Sequence, residues 1–146
     1  MRGEPILILL VEDDPAHAEI TRRNLETCPV PHRLRHVTDG QEALDYLFRH
    51  GGFSDPEASP RPHLMLLDLR LPKVEGLEVL RRVKADADLR DLPVVVLTTS
   101  SAESDILEAQ THGASSYLVK PTDFNEFARL LDGFGCYWLA WNQYPR

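Results

Sequence analysis

The stretch Ile6-Leu7-Ile8-Leu9-Leu10-Val11-Glu12-Asp13-Asp14-Pro15 passes without a break from an apolar run into three acids and a proline. A continuous apolar run of this length, with no polar alternation, predicts a strand buried on both faces, as in a parallel sheet. Asp14-Pro15 predicts a helix start. An aspartate side chain can accept from the free N–H groups of the first turn, and proline at the first helical position loses no hydrogen bond. The stretch therefore reads as strand, acidic junction, helix.

The same alternation continues along the chain. Further apolar runs fall at Leu34–Val37, Leu64–Leu67, Val94–Leu97 and Tyr117–Val119. Leu34-Arg35-His36-Val37 is the most polar and is placed at a sheet edge. Helical spacing fills the gaps. One stripe is Ala18, Thr21, Leu25 and Cys28, and a second is Ala43, Leu44, Leu47 and Phe48. A third is Leu77, Leu80, Val83 and Ala87, and a last one is Phe124, Phe127, Ala128 and Leu131. Asp105–His112 predicts a shorter helix. Ser100-x-x-Glu103 has capping-box spacing before it, and Gly113 fits the residue just past its end. Strand and helix alternating five times predicts an α/β fold, a parallel sheet with helices on both faces. His50 to Pro62 is read as a surface loop.

Composition narrows the function classes. The chain has 146 residues, about one domain, and a net charge of −7. That charge disfavours nonspecific affinity for nucleic acid or anionic membrane. No apolar run approaches the roughly 20 residues a membrane helix needs. Met1-Arg2-Gly3-Glu4-Pro5 leads directly into the first run, and acids follow where a signal peptide wants a small-residue cleavage site. Cys28 and Cys136 have no motif spacing and read as reduced thiols of a cytoplasmic protein.

In an open parallel sheet, ligands bind beyond the carboxyl ends of the strands. The residues there are Glu12, Asp13 and Asp14 after the first run, Asp68 after the third, Thr98 after the fourth and Lys120-Pro121 after the fifth. Asp14 is accounted for as a helix cap. Glu12, Asp13 and Asp68 together repel one another unless a cation or a proton neutralises them. An all-oxygen set with room for water suits Mg²⁺. Mg²⁺, a lysine and a hydroxyl can together receive a phosphoryl group, and a carboxylate can itself be the nucleophile. Asp68, ending the most apolar strand and separate from the Glu12-Asp13 pair, is the best candidate for that role.

Val11-Glu12-Asp13-Asp14, Leu66-Leu67-Asp68-Leu69-Arg70-Leu71-Pro72, Val96-Leu97-Thr98 and Tyr117-Leu118-Val119-Lys120-Pro121 resemble the receiver domain of two-component response regulators. The resemblance covers roughly residues 5–132 and implies a flavodoxin-like, doubly wound five-stranded parallel sheet of order 2-1-3-4-5. It implies that Asp68 is the phosphoacceptor for a sensor histidine kinase. It implies Mg²⁺ (or Mn²⁺) held by Asp13, Asp68 and the Arg70 backbone carbonyl, with Glu12 reaching it through water. Thr98 and Lys120 then contact phosphoryl oxygens, Thr98 and Tyr117 form the switch, and Lys120-Pro121 carries a cis peptide. Val11-Glu12-Asp13-Asp14-Pro15, Leu71-Pro72-Lys73 and Val96-Leu97-Thr98-Thr99-Ser100 further resemble the stand-alone regulators that partner bacterial phytochromes. Thr99 is bulkier than the small residue receivers often carry there.

A phosphoacceptor of this kind is not expected to be an enzyme: it carries out only its own phosphotransfer and autodephosphorylation. Two other readings stay open: a non-phosphorylated interaction scaffold, and a metal-dependent phosphohydrolase with an aspartate nucleophile. Such hydrolases typically place a second acid two residues after the nucleophile, and here that residue is Arg70. Residues 1–132 are expected to form the receiver, with 133–146 an aromatic extension and no output domain. With no basic patch, output runs through an unidentified downstream protein. Phe127, Phe134, Tyr137, Trp138 and Trp141 recur at helical spacing apart from the stripe of Phe124, Ala128 and Leu131. They are read as a homodimer interface.

Overall fold

The computed structural model describes residues 5–28 and 31–141, with side chains as far as Gly133. Five strands alternate with five helices. They are β1 (Ile6–Val11), α1 (Pro15–Glu26), β2 (His32–Val37), α2 (Gly40–Phe48), β3 (Leu64–Leu67), α3 (Gly76–Ala85), β4 (Val94–Thr98), α4 (Glu103–Thr111), β5 (Ser116–Val119) and α5 (Phe124–Trp141). All strand pairs are parallel, in the order β2-β1-β3-β4-β5. This is the flavodoxin-like arrangement expected from the sequence.

The unbroken apolar runs are explained by the two cores. Ile8, Leu10, Leu64, Leu66 and Val95 turn to one side, where Ala18 and Leu25 of α1 cover them. Leu97 packs on Phe127 and Leu131 of α5 on that same side. Leu9, Val11, Met65, Leu67, Val94 and Val96 turn to the other side, under α2, α3 and Ala109 of α4. Successive residues of a strand point to opposite faces, so every position of β1, β3 and β4 is buried. β2 pairs with β1 alone, and its Arg33, Arg35 and His36 are exposed. The strand order reverses between β1 and β3, which makes the crevice beyond their carboxyl ends the ligand site of this topology.

Several expectations are corrected. Phe127, placed both in the apolar stripe of the last helix and on a dimer face, is fully buried, in agreement with the first assignment only, whereas Phe124, assigned to the sheet-facing stripe, is 57% exposed. The helix is rotated so that Phe127 and Leu131, four residues apart, share the core face. Phe134, Tyr137, Trp138 and Trp141 have side chains outside the described residues. α5 runs on from Phe124 through Gly133 and Gly135 to Trp141. α3 ends at Ala85, which leaves Ala87 exposed, and Val79 takes a core position instead. Ser100 does not cap α4. Ala102 is the N-cap, with no side-chain bond, because the Ser100 hydroxyl donates to Asp105 at 2.5 Å. The Lys120–Pro121 peptide is trans, as are all peptide bonds among the described residues; the trans form is the favoured one before proline. The loop after α2 is docked on that helix: the Tyr46 hydroxyl donates to the Pro60 carbonyl at 2.7 Å and Arg49 Nε to the Ser59 carbonyl at 3.4 Å, and the Phe53 ring meets Tyr46 edge-on at 5.3 Å.

Candidate functional site

The carboxylates, Thr98 and Lys120 are delivered by strand ends. Asp68 extends β3 by one residue, its N–H donating to the Val11 carbonyl at 3.1 Å, and so comes to rest beside the end of β1. Lys120 follows β5 directly, its N–H donating to the Thr98 carbonyl at 2.7 Å. Gly76 at the start of α3 makes room for this geometry. A methyl group there would sit 2.3 Å from the Asp68 carbonyl oxygen.

Glu12, Asp13 and Asp68 each offer a carboxylate oxygen within 4.8 Å of the others. Glu12 and Asp68 are buried and Asp13 is exposed. Glu12 Oε2 accepts from the Asp14 N–H at 3.2 Å, while Oε1 pairs with the Lys120 ammonium. Asp68 Oδ2 accepts from Lys120 Nζ and Oδ1 from the Arg70 N–H, both at 3.1 Å. Among the described residues the Asp13 carboxylate has no protein donor. The Lys120 side chain is 1% exposed, so its charge is compensated wholly by its neighbours. Burial pushes the Glu12 carboxyl up to about 7, against the opposing pull of Lys120, with the Asp68 charge adding to the rise.

Three hard oxygen donors around one point, one of them open to solvent, fit a divalent cation that keeps some of its water. Glu12, Asp13 and Asp68 are the residues that would hold it.

Thr98 is fully buried at the end of β4, where its Oγ1 accepts from the Ser100 N–H at 3.4 Å. Tyr117 lies on β5, half-buried, and its hydroxyl donates to the Ser100 carbonyl at 2.8 Å. Arg70 stands at the rim, with its guanidinium on Asp105 at 2.7 Å. No second acid occupies the position two residues beyond Asp68, which speaks against the hydrolase reading.

The sequence alone did not single out His17 or Asp105. His17 lies on the first turn of α1 with Nδ1 3.0 Å from Lys120 Nζ. Its one sequence signal is its place just after the Asp14-Pro15 cap, on the turn that rests above the end of β1. Asp105 gathers both Ser100 and Arg70, from partners 5 and 35 residues away.

A buried lysine facing two strand-end carboxylates, with a third carboxylate free, on a sheet of order 2-1-3-4-5, defines the receiver class of signalling domain. The response regulator receiver domain family model matches residues 8–132, and the chain belongs to that family. The chain is 44% identical over 142 residues to the probable methanogenesis regulatory protein FilR2 of Methanothrix harundinacea, covering 97% of this chain and 89% of that protein. It is 39% identical over 135 residues to response regulator Rcp1 of Synechocystis sp., covering 92% and 90%. The Mn²⁺-bound form of Rcp1 superposes with a TM-score of 0.92 at 38% identity, covering 97% of this chain and all of that one. The phosphorylated cyanobacterial phytochrome response regulator RcpA does so with a TM-score of 0.92 at 36% identity, covering 98% and 100%. Regulators of this type are signalling proteins and not enzymes in the usual sense. The Mn²⁺-bound form of Rcp1 agrees with the acidic cluster as a divalent metal site.

Proposed function

We propose that this chain is a response regulator whose Asp68 accepts a phosphoryl group from a sensor histidine kinase and whose output is protein–protein contact. The observation that carries the reading is the Lys120 ammonium placed between Glu12 and Asp68 at the switch point of the sheet. Asp68 Oδ attacks the phosphorus of a phosphohistidine. The P–N bond breaks, and its electron pair leaves on the imidazole nitrogen. An acyl phosphate is left on Asp68. Lys120 already touches Asp68 Oδ2, so its charge stands beside the phosphoryl oxygens as they arrive. The Thr98 hydroxyl at the adjoining strand end donates to one of those oxygens. A divalent ion such as Mg²⁺ would offset the remaining negative charge if held by Asp13, Asp68 and the Arg70 carbonyl, with Glu12 reaching it through water.

The reading extends to a cytoplasmic setting, a homodimer and a bacteriophytochrome kinase as donor. The similarity to RcpA, a phytochrome response regulator, supports that donor. The similarity to FilR2, a probable methanogenesis regulatory protein at higher identity, supports a setting other than phytochrome signalling. No helix among the described residues is long and apolar enough to cross a membrane.

The test is Mg²⁺-dependent uptake of label from acetyl phosphate and from candidate kinases. One phosphoryl group per chain, lost in Asp68→Asn, is expected. Uptake by Asp68→Asn at the wild-type rate refutes the assignment. An unlabelled chain supports the scaffold reading, and many turnovers of small phosphate esters support the hydrolase. A panel of phytochrome and non-phytochrome kinases then identifies the donor by the rate of transfer.

A further inference from the structure

An ammonium that is 1% exposed must place all three of its protons on acceptors. Two of the Lys120 protons go to Glu12 Oε1 and Asp68 Oδ2, groups already assigned to the phosphoryl site. The third goes to His17 Nδ1 at 3.0 Å, from a residue 103 positions away in the chain. Lysine can only donate, so Nδ1 is the acceptor and the ring carries its N–H on Nε2. That nitrogen faces the Asp14 carboxylate at 3.8 Å, which favours this tautomer.

The type of acceptor matters. A third carboxylate on Lys120 would compete with the incoming phosphoryl group for the ammonium and repel it. A neutral imidazole completes the hydrogen bonding and adds no charge. The ring is also held firmly. Its edge meets Phe127 at 5.5 Å and Phe124 at 6.4 Å, both near perpendicular. Its backbone N–H donates to the Asp14 cap at 3.3 Å.

Building on the phosphoacceptor reading, we infer that His17 is a positioning residue for phosphoryl transfer, its Nδ1 lone pair taking the third proton of the Lys120 ammonium and fixing Nζ beside Asp68. The ring braces α1 against α5 at the same point, so packing and hydrogen bonding must be separated by experiment. His17→Phe keeps a ring against Phe127 and removes the acceptor. His17→Asn keeps an acceptor close to the Nδ1 position and removes the ring. His17→Leu removes both, and serves if either other variant is unfolded by circular dichroism.

The rate of Asp68 labelling by acetyl phosphate in Mg²⁺ is compared across the full-length variants. Loss of one hydrogen bond to a charged group should slow His17→Phe and His17→Leu by roughly tenfold or more, with His17→Asn within about threefold of wild type. A purely structural role gives the opposite ranking, with Phe tolerated and Asn impaired. Wild-type rates in His17→Phe or His17→Leu, or equal slowing in Phe and Asn, overturn the inference. A wild-type chain that takes no label, like its Asp68→Asn control, overturns the phosphoacceptor reading itself. Labelling of wild type with no separation among the variants overturns the role of His17 alone.

Discussion

The Tyr117 hydroxyl donates to the Ser100 carbonyl at 2.8 Å and so ties β5 to the loop that leads into α4. The same serine donates from its side chain to Asp105, which also pairs with Arg70, two residues beyond Asp68. β5, the loop after β4, α4 and the rim of the carboxylate site are thus joined in one polar clasp. α4 has little else to hold it, since Ala109 is its one buried residue.

Tyr117→Phe removes the first link of that clasp. A hydrogen bond of this kind contributes about 1 kcal/mol, so amide exchange in residues 99–109 should quicken by about fivefold while the core strands stay protected. Hydrogen exchange read by mass spectrometry checks this. Equal protection in wild type and Tyr117→Phe would show that the clasp does not order the segment.

Divalent metal should stabilise the folded chain. A ligand that binds only the folded state adds RT ln(1 + [L]/Kd), about 2.7 kcal/mol at a hundredfold excess over Kd. The melting temperature should rise with Mg²⁺ or Mn²⁺ and return to its starting value with EDTA. Asp13→Ala should abolish the rise and barely alter the metal-free chain, because Asp13 is exposed and its carboxylate has no protein donor among the described residues.

Glu12 should leave a pH signature in metal-free solution. Burial raises its carboxyl from 4.5 to about 7. Between those values the folded chain keeps a proton that the unfolded chain has lost. Its contribution to stability is therefore full at low pH and declines as pH rises through that window. The urea midpoint of wild type relative to Glu12→Gln should fall from about pH 4.5 to 7 and level off above. A difference that is flat across this range contradicts the assignment.

Gly76→Ala should destabilise the chain and disturb the site together. The added methyl would lie 2.3 Å from the Asp68 carbonyl and 2.6 Å from the Leu69 Cα, both backbone atoms that cannot step aside cheaply. A cost of about 1–3 kcal/mol is expected from such overpacking, together with slower labelling of Asp68. Chemical denaturation and acetyl phosphate labelling measure the two effects.

If the aromatic residues near the C-terminus form the proposed dimer face, Trp138→Ala with Trp141→Ala should give a folded monomer by light scattering. Phe127→Ala should instead cost about 3–5 kcal/mol of stability, since Phe127 is buried between α5 and the sheet. A wild-type chain that is monomeric at high micromolar concentration, phosphorylated or not, refutes the dimer.

The fold and most of the site were legible in the residues themselves. Ile6–Val11, Leu64–Leu67 and Val94–Leu97 read as strands covered on both faces, because they are short, unbroken apolar runs with no polar alternation, bounded by turn and helix-start signals. Glu12, Asp13, Asp68, Thr98 and Lys120 were legible because the residue after a parallel strand lies at the sheet's ligand edge whatever the helices do. Helix rotation and side-chain partnership were decided only by the tertiary structure. Phe124 and Phe127 are equally apolar, and nothing local says which one faces the sheet. Ser100 has the spacing of a cap, yet Asp105 and Tyr117 claim it. Lys120 meets Glu12 across 108 residues and His17 across 103. Those contacts exist because the parallel crossovers bring the start of α1 and the end of β5 to the same edge. A hydrogen bond needs its acceptor within about 3 Å, and sequence spacing sets no such distance between elements so far apart.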